Sequence, residues 1–257
     1  MQAGKFWEGT YKTGGFTEGT KTVSSLKNAD NKPEWLRKGR DITGPSRDSL
    51  DKHEGEPFFI FAAPVIPHVP HNPPASILKS YLESGLNQEE AHYAAMCEWL
   101  DREIGELLVM LEEKGHRRQT LVIFAVDNGW VMDDDKDRMR RAKNSPFDQG
   151  VRFPLIFSWP GRIAPSRHDE AVSSLDVLPT VLDLGGLQKP DRLSGLSLAG
   201  PLLGGPMPRR EALFGEVYNH SENIEKGEHP ELNPGSLWVR QGDWKLIRYL
   251  RPIQKQF

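Results

Sequence analysis

Residues 120–154, TLVIFAVDNGWVMDDDKDRMRRAKNSPFDQGVRFP, decide how the rest of the chain is read. The apolar run LVIFAV at residues 121–126 has the length and β-branched content of a buried strand, and it stops on Asp127-Asn128-Gly129. A strand that ends on a carboxylate and an amide sets hard oxygen ligands at its C-terminal edge, where open α/β sheets place their ligands. Asp-Asn-Gly is also a favoured turn sequence, so the tripeptide alone serves either purpose. Downstream, Lys143 precedes Ser145-Pro146-Phe147-Asp148-Gln149-Gly150-Val151-Arg152, which leads into a second apolar run at residues 153–159. Two oxygen ligands followed by a cation in a short loop suit an anionic, tetrahedral substrate.

Outward from that segment, the strongest helix precedes it. Asn87 is placed to cap, Glu89 and Glu90 fall in the first turn, and Gly115 ends the run. Tyr93, Met96, Cys97, Leu100, Ile104, Leu107, Leu108 and Leu111 recur at helical spacing, and Glu98 is set to pair with Arg102. Helix followed by strand points to an α/β sheet. Further upstream, PFFIFAA at residues 57–63 reads as a buried strand, and residues 64–74 are too proline-rich for helix or central strand. Residues 1–55 read as loop-rich, with Thr43-Gly44-Pro45-Ser46-Arg47 as a turn. Downstream, Ser173 or Ser174 caps a helix over 175–184 that Gly185-Gly186 stops. Gly204-Gly205-Pro206 reads as a linker, which gives a main part at residues 1–205 and a small subdomain at 206–257 with short strands at 212–217 and 236–249.

Composition narrows the class. A hydrophobic share of 37% and a charged share of 27% over 257 residues describe a globular chain. A net charge of −3 gives no case for nucleic-acid binding, and no run approaches the roughly 18 apolar residues of a membrane span. One cysteine, Cys97, excludes an internal disulfide and any multi-cysteine metal site, and its place on the apolar helix face marks it as packing. Gln2-Ala3-Gly4-Lys5 has nothing of a signal peptide's apolar stretch, so the compartment stays open.

Several blocks, taken in order, resemble the sulfatases of the wider alkaline-phosphatase-like superfamily. Gly4-Lys5-Phe6-Trp7-Glu8-Gly9 is similar to the family's glycine-lysine-tryptophan motif, residues 58–74 to its strand and proline-histidine loop, and residues 93–128 to its helix and DNG strand. Residues 143–154 resemble its lysine and EGG-[VI]-R-x-P segment, and residues 173–184, 193–203 and 238–247 (WVRQGDWKLI) continue the match. The resemblance covers nearly the whole chain. It implies an α/β fold, an alkaline-phosphatase-like sandwich with a mixed or parallel central sheet and a small C-terminal α+β subdomain. The implied reaction is hydrolysis of sulfate esters.

The resemblance also implies roles, residue by residue. A divalent cation, usually calcium in the family, would take Asp127 and Asn128 as ligands. Lys143, five residues before Asp148 as in the family, would contact sulfate. His68, in Pro67-His68-Val69-Pro70-His71, matches the histidine that protonates the leaving alcohol or assists the geminal diol; the His-x-Pro triplet favours it over His71. Lys5 matches the lysine that bridges nucleophile and sulfate. Where the family often has a histidine two residues later, this chain has Trp7.

A sulfatase nucleophile is a formylglycine made from Cys or Ser in a C/S-x-P-S-R motif. The resemblance implies that this block and a metal-binding aspartate pair precede the glycine-lysine block, which here starts at residue 4. The expectation is therefore the middle and C-terminal part of a sulfatase, with its N-terminal strands missing and no activity on its own. Thr43-Gly44-Pro45-Ser46-Arg47 has the x-P-S-R shape but follows Lys5, with threonine at the nucleophile position. Asp127 and Asn128 alone would leave calcium short of its roughly six to eight oxygens. Asp133-Asp134-Asp135 reads as a solvated loop, and Trp7, Trp130 and Trp238 are compatible with sugar stacking or with rim packing. The implied partner is a sulfated small molecule or carbohydrate; oligomeric state is open. Two alternatives stand beside this reading: a phosphodiesterase or phosphonate hydrolase of the same superfamily, and a non-catalytic binder of anionic glycans.

Overall fold

Two short strands, β1 (Gln2–Gly4) and β2 (Phe61–Ala63), pair in parallel with Gln2 opposite Phe61 and Gly4 opposite Ala63. They belong to a computed structural model that describes residues 1–5, 10–20, 39–131, 141–218 and 234–250. Its contacts divide the chain into two units, Met1–Arg117 and Arg118–Phe257. In the first unit, β1 is wholly buried, and its C-terminal end lies level with that of β2. Gly4 has φ +83°, and a Cβ there would lie 2.1 Å from the Ala63 carbonyl oxygen. Only glycine permits that approach, which lets the Lys5 amide donate to the same oxygen at 2.6 Å.

Three described helices follow in this unit: α1 (Thr43–Lys52), α2 (Ala75–Leu82) and α3 (Gln88–Glu113). The start of α3 is as its sequence implies. The Asn87 side chain accepts from the Glu90 amide while the Glu90 carboxylate accepts from the Asn87 amide, a reciprocal cap. Ala91, Ala95, Met96, Met110 and Leu111 are its buried positions, Arg102 donates to Glu98, and Gly115 turns out of the helix at φ +72°. Cys97 is half-buried, and burial raises its thiol pKa, keeping it protonated.

The turn expected at residues 43–47 is instead the first turn of α1. Pro45 is harmless there, because the first amides of a helix have no intrahelical acceptor to lose. Asp41 Oδ1 accepts from the Gly44 amide at 2.9 Å, and Ser46 and Leu50 are buried. Thr43 Oγ1 donates to the Glu103 carbonyl at 3.3 Å, tying α1 to α3. Helix α2 has only Ile77 buried, too weak a pattern to be read ahead of its tertiary context.

In the second unit, β3 (Val122–Ala125) runs antiparallel to β4 (Leu155–Ser158), with Val122 opposite Ser158. Between them lies the single turn α4 (Asp148–Val151). Ser173 accepts from the Leu175 amide and leads through a 3₁₀ turn into α5 (Val177–Leu184), and α6 (Ala199–Leu202) follows. Strands β5 (Leu213–Tyr218), β6 (Pro234–Gln241) and β7 (Trp244–Tyr249) form an antiparallel sheet in that order. Gly215 makes room for its cross-strand partner, since a Cβ there would lie 2.2 Å from the Trp238 ring. The class is mixed α/β, as helix–strand alternation implied, with parallel pairing in one described sheet and antiparallel pairing in two. Among the described residues no helix is long and apolar enough to cross a membrane.

Candidate active site

In the second unit, β3 delivers Asp127 exposed and Asn128 half-buried. Asn128 Nδ2 donates to the Gly129 carbonyl at 2.8 Å, which occupies the amide's donor end and leaves Oδ1, the atom a hard cation takes, outside that bond. Gly129 is buried, and its amide donates to the Gly150 carbonyl at 3.0 Å. A Cβ on Gly129 would lie 2.1 Å from the Gln149 oxygen and 2.8 Å from that of Arg152. One on Gly150 would lie 2.2 Å from the Ala142 oxygen and 2.6 Å from that of Ser145. These two glycines let three backbone stretches touch, at residues 127–130, 142–145 and 149–152.

Lys143 stands on the middle stretch, half-buried between buried Ala142 and Asn144, whose φ is +65°. Ser145 Oγ closes that turn by donating to the Ala142 carbonyl at 2.7 Å. The structure therefore holds Asp127, Asn128 and Lys143 on one glycine-stitched backbone knot. Sequence reasoning named the three side chains and missed Gly129 and Gly150 as the residues that gather them; the signal was present as the two glycines of DNG and DQG. Asp148, at the start of α4, accepts from Lys245 of β7 at 2.9 Å, and Lys245 also lies 4.4 Å over the Trp238 ring. That hydrogen bond holds the Asp148 carboxyl below its ordinary pKa. Among the described residues no group of three or more His, Cys, Asp or Glu is placed to hold a metal. The oxygen donors of Asp127 and Asn128 nevertheless suit calcium in kind.

In the first unit, Lys5 is exposed directly after β1, and the loop carrying His68 leaves β2 at the same edge. His68 is exposed, and its Nδ1 lies 2.9 Å from the Val69 carbonyl. A carbonyl only accepts, so Nδ1 carries a proton and the other ring nitrogen, Nε2, lies outside that bond. Buried Val65 and Ile66 seat the loop, and the peptide bonds before Pro67 and Pro70 are cis. The Val65 amide donates to the Gly39 carbonyl at 2.7 Å. Arg40 Nη2 donates to the Pro70 carbonyl at 2.9 Å and to Asn72 Oδ1 at 2.8 Å. His71 is half-buried, with its ring 5.5 Å from that of Tyr93. Burial, followed by the charges of His68 and His92, lowers its pKa. The two loop histidines thus differ in surroundings: His68 is open to solvent and His71 packs. Trp130 is exposed and Trp238 half-buried beneath Lys245, whereas Trp7 and Asp133-Asp134-Asp135 lie outside the described residues.

The family model described as Sulfatase matches residues 3–187, and one described as N-sulphoglucosamine sulphohydrolase, C-terminal, matches residues 142–256. The chain belongs to the sulfatase family. It is 33% identical over 201 residues to arylsulfatase A of Bos taurus, a match that covers 76% of this chain and 36% of that protein. It is 29% identical over 251 residues to endo-4-O-sulfatase of Bacteroides thetaiotaomicron, covering 93% of this chain and 47% of that protein. A solved structure from work on the metabolism of multiple glycosaminoglycans by Bacteroides thetaiotaomicron superimposes with a TM-score of 0.66 at 25% identity, over 83% of this chain and 49% of that one. The chain spans less than half the length of each of these relatives.

Proposed function

We propose that this chain carries the cation-holding, sulfate-holding and leaving-group residues of a sulfuric ester hydrolase. One observation supports this most: the Gly129–Gly150 contact that fixes Asp127, Asn128 and Lys143 on a common backbone knot. Asp127 and Asn128 would hold calcium, which when bound would draw charge from the sulfate oxygens. Lys143 and Lys5 would pair with sulfate oxygens as point cations, neutralising charge that grows as the ester bond breaks. The half-buried setting of Lys143 strengthens such a pairing relative to open water.

His68 would serve the leaving alcohol. In its imidazolium form, Nδ1–H stays with the Val69 carbonyl while Nε2–H passes its proton to the departing oxygen. The products of that transfer are a neutral alcohol and a neutral imidazole that keeps its Nδ1 proton. The chain contains no Cys- or Ser-x-Pro-Ser-Arg sequence, so no nucleophilic step is assigned to its residues. Formylglycine and calcium enter as the cofactors the family implies.

A sulfated saccharide is the substrate class this reading favours. The endo-4-O-sulfatase matches over 93% of the chain, and Trp130, 45% exposed three residues past Asp127, offers a face on which a sugar ring can stack. The test is a panel of aryl sulfate, sulfated disaccharide, aryl phosphate and phosphonate ester, assayed with the polypeptide purified from its own source organism. Turnover of a sulfate ester above the phosphorus esters supports the proposal. Faster phosphate or phosphonate turnover moves the site to the phosphoryl-transfer alternative.

A further inference from the structure

We propose that Arg40 is a positioning residue for His68 and fixes the tautomer in which its Nε2 is free to act. The inference deepens the reading above and rests on it. Arg40 is 5% exposed, yet no carboxylate among the described residues pairs with it. Its guanidinium lies 5.0 Å from the Trp99 ring centroid of α3, and its Nε has no partner among the described residues. Burial pulls its pKa below the ordinary arginine value, which shows what keeping a charge there costs. A buried cation is a poor way to gain stability, because an apolar side chain of similar size fills such a space without a desolvation penalty.

What the charge does secure is the histidine loop. The dipeptide Gly39-Arg40 grips that loop on both sides of His68. The Gly39 carbonyl takes the Val65 amide, three residues before it, and Arg40 Nη2 takes the Pro70 carbonyl and Asn72 Oδ1, two and four residues after it. The carbonyls of Val69 and Pro70 are successive: the first accepts from His68 Nδ1 and the second from Arg40. Holding the Pro70 carbonyl restrains the Val69–Pro70 segment, and with it the acceptor that keeps the proton on Nδ1. Without that acceptor, a solvent-exposed neutral imidazole reverts to the Nε2–H form that predominates in water. The Nδ1–H form is the imidazole left once Nε2 has given its proton to the leaving alcohol, and its Nε2 lone pair takes up the next proton; the Nε2–H form has no lone pair there to be recharged.

The experiment is long-range ¹H–¹⁵N spectroscopy of the histidine rings in the full chain above neutral pH. His68→Gln identifies the His68 signal. The wild type is expected to show His68 as the Nδ1–H tautomer. Arg40→Met is expected to convert it to a majority of Nε2–H while the His71 signal and the far-ultraviolet spectrum hold. Arg40→Lys, which keeps the charge and loses the planar fork, should fall between them. A folded Arg40→Met protein whose His68 stays Nδ1–H overturns the proposal and leaves Arg40 as a plain loop anchor. Should Arg40→Met fail to fold, Arg40→Lys and Asn72→Ala decide. A shift toward Nε2–H in both sustains the proposal, and an unchanged tautomer in both ends it. The readout needs no turnover, so the two readings fail separately: faster phosphate or phosphonate turnover beside an Arg40-dependent tautomer would overturn the sulfatase reading alone, and an Arg40-independent tautomer would overturn this one alone.

Discussion

The amide of Gly129 donates to the carbonyl of Gly150 at 3.0 Å, and neither residue has room for a Cβ. Gly129→Ala would drive a methyl to 2.1 Å from the Gln149 oxygen, so the DNG turn must leave the 149–152 stretch. The expected cost is about 1–3 kcal/mol, the range for overpacking a tight site. In the calcium-holding role proposed for Asp127 and Asn128, affinity for the cation should fall at least tenfold, because both residues move with the turn. Urea denaturation and calcium titration of the same samples check both numbers. A variant that loses stability but keeps calcium affinity would separate the turn from the cation.

Gly105 provides the opposite case. It lies inside α3, and nothing comes within 4 Å of the place a methyl would take, so Gly105→Ala should stabilise the chain by roughly 0.5–1 kcal/mol through helix propensity. A thermal melt shows this as a higher midpoint, with calcium affinity unchanged. A lower midpoint would mean that the space around Gly105 is not open.

The Asp148–Lys245 pair predicts a pH effect with a definite sign. Lys245 lowers the folded-state pKa of Asp148, so the unfolded chain binds that proton more readily. The pair's stabilisation is present above the ordinary carboxylate pKa and is lost as pH falls below it. Because the Asp148 side chain is 56% exposed, the screened value is at most about 1 kcal/mol. Lys245→Met should cost that much by urea denaturation at pH 7, and the gap from wild type should close as the pH falls through the lowered folded-state pKa of Asp148. A gap that does not change with pH would assign the loss to the Trp238 contact instead.

The sequence was legible where its signals are local. The reciprocal Asn87–Glu90 cap and the turn at Gly115 need only their own neighbours, so both ends of α3 follow from residue order. The strands at residues 122–125 and 155–158 likewise follow from short apolar runs. Helix α1 was hidden because only Thr43, Ser46 and Leu50 are buried on it, and Gly and Pro in its first turn mimic a loop. Candidate side chains were legible as motif letters, whereas what holds them was not. Gly129 meets Gln149 and Arg152 only in three dimensions, and Arg40 reaches acceptors 30 and 32 residues away from outside any motif.

Asp176 is the strongest test of what holds the second unit together. It is fully buried, and its carboxylate accepts from the Ser173 amide at 2.8 Å, the Leu196 amide at 2.8 Å and Arg210 at 2.6 Å. Gly195 allows the approach, since a Cβ there would lie 2.0 Å from the Leu175 oxygen. Asp176→Ala strands two amides and a mostly buried guanidinium, for an expected loss of about 3–5 kcal/mol. Asp176→Asn can keep an oxygen at the Oδ1 position for the Leu196 amide and Arg210, but it sets an NH₂ group against the Ser173 amide and leaves the guanidinium without a counter-charge, so it should recover only part of that loss. Arg210→Met in the Asp176→Asn background removes the unpaired cation and should restore more. Urea midpoints of the three variants give the order. If Asp176→Ala costs under 1 kcal/mol, the carboxylate is hydrated and the network does not carry the unit.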